Sequence, residues 1–171
     1  MTTMNLAETL LADFEADLSR TRKLIEALPA DKLDWKPHEK SMTLGQLAGH
    51  LAESPSWACG MSEDELDMEK LGAEWKPFEP ESKEAIGAKL EETAPNVAQV
   101  LDGKDDEHML ATWTMRKGDA ILMQEPRVSA MRGVLLTHAA HHRGQLTVYL
   151  RLLGTPVPAT YGPTADDPDG F

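Results

Sequence analysis

The chain has 171 residues and carries 17 Lys and Arg against 29 Asp and Glu, a formal net charge of -12. That length suits a single domain spanning 1–171, and the acidic balance repels phosphate backbones and anionic headgroups, which argues against nucleic acid or a membrane surface as partner. Cys59 is the only cysteine, so an internal disulfide framework and thiolate metal clusters are excluded and a reducing compartment, the cytoplasm, is expected.

Apolar residues make up 41% of the chain, an ordinary share for a folded protein. The first eleven residues include Glu8 and lack both a basic start and an unbroken apolar stretch, so they do not read as a signal peptide. From Met4 to Leu28, Leu6, Leu10, Phe14, Leu18, Ile25 and Leu28 recur at helical spacing, and Pro29 ends the pattern. Asp31 to Lys40 shows no helical period. Ser41 or Thr43 can then cap a second helix running from about Leu44 to Cys59.

Gly60 to Glu81 is acidic and reads as a long crossover, with Ser62 and Glu65 at capping-box spacing for a short helix and Glu63 to Glu69 as a solvated face. Ser82 to Leu101 resumes helical period, with a kink expected at Pro95. Leu110 to Met115 and Ala120 to Met123 flank Lys117-Gly118-Asp119 and suggest a small β-hairpin before the last helix. That helix, Arg127 to Leu153, has the strongest pattern in the chain and stops at Gly154 and Pro156. The last fifteen or so residues read as an irregular tail. The expected fold is an all-α four-helix bundle with a long crossover.

His138 and His142 stand four apart on this last helix, one above the other, and share a stripe with Met131, Leu135, Gln145 and Tyr149. Two imidazoles so placed can each reach a shared metal at about 2 Å. His141 lies about 100° around the helix and is a poorer partner. His50, on a face with Leu47, Ser54 and Trp57 of the second helix, completes a three-nitrogen set that leaves a coordination position open, as catalytic zinc sites do. Spacing alone does not separate a ligand set from a hydrogen-bonded polar network in the core. Glu53, one turn from His50, is a candidate general base or orienting group, or a member of a surface ion pair. Gln145 and Tyr149 are candidates for holding a bound ligand, and Arg143 for pairing with an acid at the edge of the bundle. His38 and His108 read as surface residues, Cys59 as structural, and Trp57, Trp75 and Trp113 as core plugs. Paired Glu-x-x-His motifs of di-iron bundles and the C-x-x-C-H of c-type haem are absent.

Three ordered stretches carry a resemblance. Leu33-Asp-Trp-Lys-Pro37 followed by Ser41-Met-Thr-Leu-Gly-Gln-Leu47 and His50-Leu51, then His138-Ala-Ala-His-His-Arg-Gly-Gln-Leu146, then Pro156-Val-Pro-Ala-Thr-Tyr-Gly162 resemble the signatures of the DinB-like superfamily. The resemblance implies a four-helix bundle of up-down-down-up topology, a divalent metal, commonly zinc or nickel, on His50, His138 and His142, and a homodimer. It further implies a choice of activities on small molecules. The favoured one is a metal-dependent transferase joining a low-molecular-weight thiol such as bacillithiol, mycothiol or glutathione to an electrophile. A metal-dependent hydrolase using Glu53, and a non-catalytic metal- or ligand-binding bundle, are the alternatives.

Overall fold

The structure is a computed structural model that describes residues 4–72 and 75–170. Helix α1 (Leu6–Glu26) starts where the Asn5 side chain accepts the Glu8 N–H and the Glu8 carboxylate accepts the Asn5 N–H, so two donors of the first turn are satisfied reciprocally. Helix α2 (Leu44–Glu53) opens with the same device, built from Thr43 and Gln46. It is shorter than its apolar pattern suggested. Pro55 has no N–H to continue the ladder, and the chain tightens into 3-10 turns over Ser54–Met61.

After α3 (Met68–Gly72), the kink expected at Pro95 separates α4 (Lys83–Thr93), capped by Ser82, from α5 (Pro95–Leu101). Helix α6 (Asp106–Leu110) precedes the sheet. The last long helical rod is divided into α7 (Arg127–Arg132), a π-helical stretch over Gly133–His138, and α8 (Ala139–Leu152). It ends at Gly154, whose φ of 70° lets Thr155 N–H reach back to the Leu150 carbonyl, a conformation that only glycine takes without strain.

The expectation of an all-α four-helix bundle with up-down-down-up topology is not met. Three strands, β1 (Glu65–Asp67), β2 (Thr112–Lys117) and β3 (Ala120–Pro126), form a mixed sheet in that order, β1 parallel to β2 and β3 antiparallel to it. The hairpin anticipated around Gly118 is its larger part, with a bulge at Met115/Arg116. The acidic crossover supplies the unexpected strand. Ser62 donates its hydroxyl backwards to the Cys59 carbonyl rather than capping a helix. Arg127, buried at the start of α7, donates to the carbonyls of Met61 and Glu63 and to the Asp64 carboxylate. The guanidinium therefore draws 61–64 alongside β2, and the next three residues pair with it.

The apolar centre lies among the long helices, with Leu24, Leu44, Ile86, Val97, Met131 and Leu146 fully enclosed. A charged pair, Arg143 and Asp17, shares that interior. Arg143 of α8, 2% exposed, donates to the Asp17 carboxylate and the Thr21 hydroxyl of α1 and to the phenol of Tyr161 in the tail. Sequence reasoning placed this arginine at an edge. It instead fixes α8 against α1 from within, directly beside His142. Asp17→Ala should lower unfolding stability by about 3–5 kcal/mol, because it strands a buried guanidinium; urea melts would show it, and a change below about 0.5 kcal/mol, the range of ordinary surface substitutions, would contradict this role.

Candidate metal centre

Helices α2 and α8 run antiparallel along one seam. Tyr149 near the end of α8 donates to the Met42 carbonyl just before α2 at 3.3 Å, while His50 towards the end of α2 meets His138 and His142. The three rings pack edge to face, with centroids 4.3–5.1 Å apart. Their Nε2 atoms converge. His138 Nε2 stands 3.2 Å from that of His50 and 2.9 Å from that of His142, and one ligand atom from each residue lies within 4.8 Å of the other two. Two nitrogens each about 2.0–2.1 Å from a tetrahedral zinc are separated by about 3.3 Å, so the trio is nearly at coordination distance already.

The proton count around these nitrogens supports a cation. His142 Nδ1 lies 2.7 Å from Gln145 Oε1; the ring therefore donates there and turns a lone pair on Nε2 towards the other two rings. A single proton can then satisfy the His138 to His142 contact, but the third nitrogen still faces a filled site. A divalent cation satisfies all three lone pairs at once. His138 Nδ1 is buried without a partner, so the tautomer of this ring is not held by a hydrogen bond on its far side.

Burial keeps these rings neutral, the form that can bind metal. The pKa of His50 and of His142 is lowered by desolvation first, and that of His138 is brought down to about 4 by desolvation and by its neighbours His142 and His50. In the metal-free protein the unfolded chain takes up protons before the folded one does. Stability is thus present above the ordinary histidine range and is lost as pH falls from about 6.5 towards about 4. Histidine NMR titration of chelator-treated protein should find His138 protonating near about 4; an ordinary midpoint for this ring would contradict the buried, neutral trio.

Among the other candidates, Gln145 is brought to the trio, as a partner of His142. Tyr149 stands two turns further along α8, its ring edge-on to Trp35 with centroids 5.6 Å apart. Glu53 is buried and accepts the Phe78 N–H at 3.3 Å; it is not among the clustered ligand atoms. Of the three tryptophans read as core plugs, Trp113 is enclosed at 1% exposure and Trp75 is exposed at 41%. Trp57 is half-buried against the trio, its ring 5.1 Å from His50 and 5.3 Å from His138. Its place on the face of His50 was visible in the sequence. The switch to 3-10 turns at Ser54, which sets its angle, was not. His38 and His141 are exposed, as is Cys59.

No helix among the described residues is long and apolar enough to cross a membrane. The DinB family model matches residues 1–169. The uncharacterized protein YrdA of Bacillus subtilis (strain 168) is 30% identical over 156 residues, which span 91% of this chain and 86% of that protein. Among solved structures, a DinB-like protein from Bacillus cereus ATCC 10987 aligns with a TM-score of 0.69 at 23% identity, covering 89% of this chain and 95% of that one. The DinB-like protein YjoA of Bacillus subtilis aligns with a TM-score of 0.67 at 19% identity, covering 89% and 97%. At these identities the solved structures speak to the fold alone.

Proposed function

The chain belongs to the DinB family, and from that premise we propose that it is a metal-dependent transferase joining a low-molecular-weight thiol to an electrophilic small molecule. The observation that carries this reading is the convergence of three Nε2 atoms on one point, with no carboxylate of the described residues among them. His50, His138 and His142 would hold the cation, zinc or nickel, both of which accept imidazole. When bound, the cation acts as a Lewis acid that lowers the pKa of a thiol, so that it attacks as the thiolate.

The chain's own residues have distinct tasks. Gln145 holds His142 in the tautomer that presents Nε2. Burial keeps the three rings unprotonated at neutral pH. Three neutral ligands leave the full charge of a divalent cation to act on the thiol, whereas a carboxylate ligand would offset part of it. Glu53 spends one carboxylate oxygen on the Phe78 N–H, and this supports thiol transfer over the hydrolytic alternative, which needs a base free to take a proton from water. In the transfer itself a carbon–sulfur bond forms, the leaving group departs from carbon with its electron pair, and the thiol proton passes to solvent.

Metal-loaded protein incubated with bacillithiol, mycothiol or glutathione and a chlorinated bimane should release chloride and form the fluorescent thioether faster than buffer does with at least one thiol. Rates equal to buffer for every thiol would overturn the reading.

A further inference from the structure

We propose that a single long-lived water is bound in the interior between Arg143, Ser54 and Thr21, where it joins the segment that carries His50 to the one that carries His142 and to α1. The space for it is a narrow cavity among α1, α4 and the two histidine-bearing rods, where these three polar residues face apolar side chains such as Leu51 and Leu90. Its volume is about 10 Å³, at the lower end of the about 10–15 Å³ that one water needs. No organic ligand fits there. Cavities with purely apolar walls stay dry, so the polar part of the lining decides what this one holds. Ser54 stands one helical turn after His50, and Arg143 follows His142 directly, so a molecule shared by the two would tie both ligand-bearing segments together.

The hydrogen-bonding capacity left over around the cavity specifies its occupant. Thr21, Ser54 and Arg143 are enclosed, at 3%, 3% and 2% exposure. Arg143 Nη1 donates to Thr21 Oγ1 at 3.1 Å, and Nη2 donates to the Asp17 carboxylate and the Tyr161 phenol. Its Nε–H is buried with no acceptor among the described residues, and an unmet donor on a charged group is costly at this depth. Both hydroxyls already donate their protons to backbone carbonyls, Ser54 to Leu51 at 2.9 Å and Thr21 to Asp17 at 3.2 Å. Their oxygens can therefore only accept. One donor and two acceptors thus remain around one small space. An anion would meet Nε–H but not the hydroxyl oxygens, and a cation the reverse. Water meets all three, accepting from Nε and donating one proton to each hydroxyl.

Two measurements test the site. In a crystal structure of the full-length protein at atomic resolution, one water is expected at hydrogen-bonding distance, about 2.7–3.2 Å, from Arg143 Nε and Ser54 Oγ. In solution, the Arg143 Nε proton should show cross-relaxation with water whose sign reverses between the laboratory and rotating frames, the mark of a long-lived buried molecule. Stability then separates a wet cavity from a dry one by sign. Ser54→Thr keeps the hydroxyl and adds a methyl group that competes for the same space. With water bound, the methyl displaces it, strands Nε–H and lowers the folding equilibrium constant by about tenfold; in a dry void the methyl would fill the gap and raise that constant. An empty cavity in the crystal, an ion in place of the water, or a variant at least as stable as the native chain would overturn the proposal. Should the variant not fold, the crystal structure and the cross-relaxation of the native chain decide alone. Neither metal, thiol nor turnover enters these readouts, so the water site stands or falls independently of the transferase reading.

Discussion

Lone pairs on neighbouring nitrogens repel unless a proton or a cation lies between them, and the antiparallel packing of α2 against α8 and the π-helical turn before it brings three such nitrogens together in a half-buried setting. Removing polar atoms from water without partners costs a few kcal/mol each, so an arrangement of this kind persists only where something else fixes the two helices. Much of the remaining structure does that. The Thr43 and Gln46 capping box sets where α2 begins, and the Arg143 to Asp17 pair ties α8 to α1 one residue from His142.

The same constraint accounts for the choice of uncharged neighbours. A carboxylate beside the trio would raise the imidazole pKa values and favour protonation in place of metal binding. Glu53, the nearest candidate in sequence, is directed to the 78 to 80 segment, where Gly49 permits the approach of Phe78 and Pro80 to within about 3.3 Å of where a Cβ would stand. Gln145 supplies orientation without charge. The π-helical stretch that ends at His138 offsets this residue from the straight α-helical register, and such stretches are frequent at functional sites.

Local rules made the helices legible. Pro95, Gly154, Thr43 and the apolar repeats of the first and last rods marked where elements start, break and stop, and the three histidines shared faces that could be read from spacing. The sheet was not legible in full, because β1 is three residues long, acidic and without alternation, and forms through contacts that Arg127 makes some sixty positions later in the chain. Arg143 was misplaced for a similar reason: its partner Asp17 lies in the first helix and Tyr161 in the tail. Trp57 was taken for a core residue because an indole on an apolar face looks the same in sequence whether it is enclosed or left against a site. Tertiary geometry separates the two.

His50, His138 and His142 are placed to hold a metal ion. Elemental analysis of the purified protein beside a variant with all three histidines changed to alanine tests it most directly. About one equivalent of zinc or nickel is expected in the native chain, as for a single three-nitrogen site, and none in the variant. Equal metal content in the two proteins would contradict it.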